Sequence, residues 1–316
     1  MALVVIGLCL FEVIVSIDNA IINAEVLAKM SPKARKWFLF WGILFAVFAI
    51  RGLLPWLIVW AATPGIGPIE AFTAAFSSDP SVLTAVEASA PLLLMGGGIF
   101  LLFLFLHWLF LEEKHFGLPA EKFIARNGLW FFAIVSVILT TIVWFSLKIN
   151  EMVAFSAVIG SSAFFIVHGF KQNAEASEKA LIDGTSDKSD LAKVFYLMII
   201  DATFSIDGVV GAFAFTTIVP LILIGNGLGA IVVREITIRN ITSINKYKYL
   251  KNGAMYSIFF LGCIMIYDAF GHHIPFWVSP LITISTVGFF FMKSKVELDK
   301  EEKPEKEKKS DKKDKK

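Results

Sequence analysis

Apolar residues are not spread evenly along this chain. They gather into runs of about 20, the length a helix needs to cross the roughly 30 Å hydrocarbon core of a bilayer. The runs predict about nine membrane-spanning helices, near 3–28, 37–60, 89–111, 129–148, 150–170, 194–216, 218–238, 252–270 and 275–292. Between the fourth and fifth stand little more than Ile149 and Asn150, which predicts a tight turn. From Thr63 to Pro91 polarity is mixed and prolines intervene, so that stretch reads as an interfacial or re-entrant segment or as a plain loop. From Lys293 the chain reads KSKVELDKEEKPEKEKKSDKKDKK, with no aromatic residue to build a core, and disorder is predicted there.

This pattern divides the chain into a first membrane half (1–170), a cytoplasmic linker (171–193), a second membrane half (194–292) and a charged cytoplasmic tail (293–316). Composition supports the class: 56% of residues are hydrophobic and 14% aromatic, with mean hydropathy +0.71, which excludes an ordinary soluble domain. The expectation is an all-α polytopic membrane protein. An apolar stretch begins at Ala2, but no basic segment precedes it and carboxylates interrupt it, so it is read as a retained span and not a signal peptide. Cys9 and Cys263 both fall within spans, which argues against a disulfide framework.

Lysine and arginine in the connections set orientation, because positively charged loops stay on the cytoplasmic side. Lys29, Lys33, Arg35 and Lys36 follow span one; Lys114, Lys122 and Arg126 follow span three; Lys171, Lys179, Lys188 and Lys193 follow span five. Arg239, Lys246, Lys248 and Lys251 follow span seven, and the lysine-rich tail follows span nine, whereas the opposite connections hold only Lys148. The expected placement is multi-pass in the plasma membrane, N-terminus outside and C-terminus cytoplasmic.

Against this apolar background the segment FEVIVSIDNAIINA, starting at Phe11, places Glu12, Asp18, Asn19 and Asn23 inside the first span. It has a second copy. Phe11 to Asn19 (FEVIVSIDN) aligns with Ile200 to Gly208 (IDATFSIDG), which pairs Glu12 with Asp201, Ser16 with Ser205 and Asp18 with Asp207. The spans that follow also match, GILFAVFAIRG around Arg51 with GLGAIVVRE around Arg234. Five spans separate the copies, so they run in opposite directions, and inverted repeats are a recurring transporter plan with the ligand site near the bilayer midplane.

At about 100° per residue, Glu12, Ser16, Asn19 and Asn23 share one stripe, while Asp18 lies roughly 120° away. Either the helix is interrupted near Ser-Ile-Asp or the two acids serve different surfaces. Gly208 and Gly211 favour interruption in the second copy, and Asp18-Asn19 tolerate one in the first.

An uncompensated charge at the bilayer centre costs about 2.5–3.5 kcal/mol on insertion scales. Glu12, Asp18, Asp201 and Asp207 against Arg51 and Arg234 leave a formal −2. One divalent cation or two protons would cancel it, which is how metal and protons could exchange through a single site. Carboxylate, hydroxyl and amide oxygens suit hard ions such as Mn²⁺, Ca²⁺ or Mg²⁺. The competing reading is that the acids pair with arginines and backbone as glue between helices.

FEVIVSIDN and DATFSIDGV resemble the paired acidic motifs of the tellurite-resistance TerC family of integral membrane proteins, whose copies look like Glu-x5-Asp-Asn and Asp-x5-Asp-Ser. The likeness is strongest with a branch carrying Ser-x-Asp in both motifs. It extends to FWGILFAVFAIRG (Phe40 to Gly52), GGGIFLLFLFLHW (Gly96 to Trp108), YLKNGAMYSIFFLGCIM (Tyr249 to Met265) and HIPFWVS (His273 to Ser279). The resemblance implies efflux of Mn²⁺ or a related divalent cation. Glu12, Asp18, Asp201 and Asp207 become the metal-site acids, with Asn19 beside them and Ser16, Asn23, Ser205, Arg51 and Arg234 in support. Gly208 stands where the family looks to have Ser, Val210 where it has Pro, and Ile264 where it often has Lys.

Other polar residues point less clearly to chemistry. His272 and His273 near Asp268 read as a solvated interfacial pair sooner than a transition-metal site, and His107, His115 and His168 stand alone in the sequence. Gly96, Gly97 and Gly98 read first as a close helix contact.

Three functions compete. The first is secondary export of a divalent cation, with no organic cofactor, no enzymatic activity and no nucleic-acid partner. The second is a membrane metalloenzyme, which lacks a nucleophile or a His-rich ligand set. The third is a non-catalytic membrane partner that supplies metal to exported proteins or assembles a metal or oxyanion stress-resistance complex. Because no phosphate loop is present, pumping is expected to be secondary.

Overall fold

A helix satisfies every backbone N–H and C=O within itself, which is why apolar runs with lipid for solvent fold as helices. The computed structural model describes residues 1–16, 27, 30–42, 45, 51–63, 65–73, 80–182, 190–239 and 246–313, and every regular element among them is helical. In chain order these are α1 (Ala2–Val15), α2 (Pro32–Trp37), α3 (Leu54–Ala62), α4 (Pro68–Thr73), α5 (Pro80–Leu111), α6 (Pro119–Arg126), α7 (Phe131–Leu147), α8 (Glu151–Ile182), α9 (Asp190–Phe204), α10 (Ile206–Ala212), α11 (Val219–Arg239), α12 (Leu250–Ala269) and α13 (Val278–Lys313). A wide π-helical turn covers Phe38–Gly42, and residues 51–53 adopt the same form just before α3.

Among the described residues, four stretches are long and apolar enough to cross a membrane: Ala88–Leu111, Gly128–Leu147, Glu151–Asn173 and Leu250–Ala269. Shorter apolar helices cover Ala2–Val15, Arg51–Ala62 and Val219–Val233. Large apolar side chains face outward, among them Leu129, Phe132, Val137, Trp144, Phe155 and Ile166. Such a surface suits lipid and not water. These features are compatible with a multi-pass membrane protein.

The core forms around α5, whose Met95, Ile99, Leu101, Phe103 and Trp108 are fully buried and which packs between α8 and α12. Glycine permits that approach. A Cβ on Gly160 of α8 would lie 2.1 Å from the Gly96 carbonyl oxygen, and one on Gly98 would lie 3.0 Å from the Gly262 carbonyl oxygen of α12. The triple glycine therefore serves helix contact, as small residues do in membrane bundles.

Helix α1 is enclosed by α10, α11 and α13. Gly225 and Gly229 of α11 lie against Leu8 and Glu12, where a Cβ would come within 2.5 and 2.6 Å of those side chains. Both contact pairs ascend in the same order, so α1 and α11 run in parallel. At the turn between α7 and α8, Asn150 Oδ1 accepts a hydrogen bond from Met152 N at 2.8 Å, as a helix-starting residue does.

Three expectations need revision. Helix α5 begins at Pro80 and passes through Pro91, so only 63–79 connects it to α3. Helix α8 continues to Ile182, because KQNAEASEKALI consists largely of good helix formers, and residues 171–182 are therefore helix and not linker. Helix α13 likewise extends to Lys313, through the segment whose charge predicts disorder.

Candidate cation site

Helix α1 carries Glu12 into the interior at 1% exposure, and residues 51–53 bring up Arg51 at 3%. Arg51 Nε donates to Glu12 Oε1 at 2.9 Å, and Arg51 Nη2 donates to the same oxygen. Ser16 Oγ, one turn on, donates to it at 2.7 Å. With Oε1 engaged by these donors, Oε2 turns toward the second acidic motif: a Cβ on Gly208 would lie 2.8 Å from it. Any larger residue at 208 would push this carboxylate away.

The second motif is shaped by a break. Helical bonding stops at Phe204 and resumes at Ile206, with Ser205 between them bonding back only three residues, N–H to Ala202 O at 3.2 Å. Its counterpart Ser16 is where α1 ends. Beyond Ser205, α10 buries Asp207, whose Oδ2 accepts from Lys171 Nζ of α8. Asp207 Oδ1 is buried with no hydrogen-bond partner among the described residues. Both amide atoms of Asn226, a fully buried residue of α11, share that condition. A buried polar atom without a partner costs about 1–3 kcal/mol, so each is a place where a water or an ion would be held.

Glu12, Ser16 and Arg51 bond to one another, and Gly208 of the second motif packs on Glu12 Oε2, while the neighbouring Asp207 turns to Lys171 of α8 and Ser205 is buried at the break before α10. Asp18, Asn19 and Asn23 lie outside the described residues; Asp201 and Arg234 contribute backbone to α9 and α11, and their side chains lie outside what is described. Lys171, expected among the cytoplasmic loop lysines, is instead a buried partner of Asp207, and adding it to the six charged groups makes seven and changes their formal balance from −2 to −1. Asn226 stands inside the seventh predicted span, the signal that singles out Asn19 and Asn23 in the first. No cluster of three or more His, Cys, Asp or Glu able to hold a metal occurs among the described residues.

On one side of this region, a cavity of about 380 Å³ is bounded by Phe213, Thr216, Met265, Asp268 and Ser279, among others. Met265 of its wall and Val210 of α10 both approach Gly97 of α5, at 2.5 and 3.5 Å from where a Cβ would stand. His273 stands 3.7 Å from Asp268 there, with its ring exposed, and His272 stacks on Tyr267.

On the other side, the rings of His107 (α5) and His168 (α8) meet at 3.9 Å between centroids. His107 Nδ1 is 3.4 Å from Glu112 Oε1, and Glu112 Oε2 is 3.2 Å from Lys251 Nζ. Nearby, Glu121 of α6 is fully buried and accepts from Gly117 N at 2.7 Å, Asn252 Nδ2 at 3.1 Å and Tyr256 Oη at 3.1 Å, which fastens α6 to α12.

Burial alone would raise the Glu112 carboxyl, but His107 and Lys251 outweigh it and hold the group down at about 2. Lys114 is pushed down to about 8, chiefly by burial. A depressed carboxylate stabilises the fold above its unfolded value of 4.5, and that contribution is lost as pH falls toward about 2. The thermal midpoint of Glu112→Gln in detergent is therefore expected to lie below wild type at pH 6 and to approach it at pH 3. A gap independent of pH would contradict the assignment.

Fold and site define an all-helical protein with apolar helices suited to a bilayer and buried ion pairs between them. The chain belongs to the DUF475 family, described as proteins of unknown function, which matches residues 17–301. Neither the curated proteins nor the solved structures contain a match.

Proposed function

We propose that this chain is a secondary transporter that exports a divalent cation, Mn²⁺ before Ca²⁺ or Mg²⁺, across the plasma membrane in exchange for protons. On this reading it is TerC-like, with nine spans, N-terminus outside and C-terminus inside. Its two inverted acidic repeats supply Glu12, Asp18, Asn19, Asp201 and Asp207 to one midplane site. The observation that carries the reading is that Glu12 Oε2 is packed on Gly208, next to Asp207, whose own Oδ1 is buried without a partner among the described residues. The end of α1 at Ser16 and the helix break at Ser205, matching positions of the two copies, add support.

Lys171 refines the mechanism. Its ammonium already occupies the Asp207 carboxylate as a tethered cation. With a remainder of −1, a divalent ion would overcompensate the site unless that ammonium moves away, so ion and ammonium compete for Asp207.

A second reading has its own observation: both described acids are engaged by basic side chains, as fasteners between helices would be. The two part in metal-sensitive cells. Expression of the wild type is expected to lower cellular Mn²⁺, and a variant with Asp18→Asn and Asp207→Asn, present at equal level in the membrane, is expected not to. Equal Mn²⁺ content in the two would reject export.

A further inference from the structure

The transport reading leaves unexplained why the ion pair at Asp207 continues into a line of titratable side chains. Lys171 stands one helical turn from His168 on α8. The His168 ring lies against His107 of α5, His107 Nδ1 faces Glu112, and Glu112 reaches Lys251 of α12 at a partly exposed position. Apolar surroundings insulate the line: Phe164 stacks on His168 at 5.7 Å and 9°, and Phe131 closes on His107 edge-on at 5.5 Å. His107 is buried and His168 half-buried, and imidazole is the side chain whose two ring nitrogens can take up one proton and release another near neutral pH.

We propose that His168, His107 and Glu112 form a proton relay joining the Lys171–Asp207 pair to the lysine-rich face at Lys251. The proposal rests on the export reading. Gln172 Nε2 is 3.0 Å from His168 Nε2, and with the amide donating, the neutral ring carries its proton on Nδ1. His107 Nδ1 is buried and makes no regular hydrogen bond among the described residues, so it is open to exchange a proton with Glu112.

A proton given up by hydronium on the Asp207 side forms an N–H bond at His168 Nε2, displacing the Gln172 amide, while the Nδ1–H bond breaks and its proton passes to His107. The same exchange at His107 delivers it to Glu112, from which it leaves to inner water. One proton enters and one leaves, each ring returns to its neutral form, and no electrons move. The groups facing the two rings are Lys171, Gln172 and Phe164 from α8, Glu112 beyond α5, Phe131 from α7, and Lys251 from α12 through Glu112.

The test uses the full chain reconstituted in liposomes, with Mn²⁺ as the probe and separate entrapped dyes for Mn²⁺ and for pH. His168→Asn and His107→Asn are each expected to slow Mn²⁺-driven proton movement about tenfold or more, a change of about 1.4 kcal/mol in the barrier. Mn²⁺ binding to the same variants in detergent is expected to stay within about twofold of wild type, which establishes that they fold. Added imidazole is expected to restore part of the proton rate, an effect that a packing defect would not produce. Wild-type proton rates and pH profiles in both variants would overturn the relay and leave export standing. Mn²⁺ binding without any proton movement in the wild type would overturn proton exchange and the relay together.

Discussion

Glu12→Ala is expected to destabilise the protein by on the order of 3–5 kcal/mol, enough to prevent recovery of folded material at physiological temperature. The substitution strips Arg51, itself almost wholly buried, of the carboxylate to which two of its nitrogens donate, and deprives Ser16 Oγ of its acceptor. It also opens a void against Gly208 and Gly229, which approach closely only because Glu12 fills that space. Glu12→Gln keeps the volume and one acceptor oxygen, so its cost is expected to fall near 1–3 kcal/mol. Thermal unfolding in detergent distinguishes them. A midpoint for Glu12→Ala equal to wild type would mean that the pair contributes nothing to the fold.

The second large effect is expected at a residue with no side chain. Gly160→Ala places a Cβ 2.1 Å from the Gly96 carbonyl oxygen, a backbone atom that cannot swing aside, so α5 and α8 must separate along their contact. The overpacking cost is about 1–3 kcal/mol. Exchanging glycine for alanine within a helix gains at most about 1 kcal/mol, so the clash prevails. Gly169 on the same helix supplies the control, since nothing lies within 4 Å of its added Cβ, and Gly169→Ala is expected to be neutral or slightly stabilising. If both substitutions shifted the melting temperature alike, the proposed glycine contact would be wrong.

Gly160 also explains why part of the polar line was hidden from the sequence. His107 and His168 each stand alone within an apolar run, 61 residues apart, and only the α5–α8 approach at Gly96 and Gly160 brings them to 3.9 Å. Lys171 was obscured differently. It follows an apolar run, where lysine ordinarily marks a loop, but α8 continues past that run, to Ile182, and so presents Lys171 from a helix. The strongly helical composition of 171–182 was the available signal. Glu12, Asp207, Ser16 and Ser205 were legible because charge inside an apolar run is expensive, and a repeated Ser-Ile-Asp marks where a helix is interrupted. The apolar periods of α7, α8 and α12 were read to within a few residues for the same reason that they fold, since a bilayer leaves few other structures available.

The balance between ion site and helix fastener turns on Asp207. A single measurement weighs it: Mn²⁺ flux into liposomes reconstituted with purified wild-type chain or with Asp207→Asn, both recovered as folded, monodisperse protein. The account predicts Mn²⁺ movement above protein-free liposomes for the wild type and none above that background for Asp207→Asn. Equal flux through the two, or none through the wild type, would contradict it.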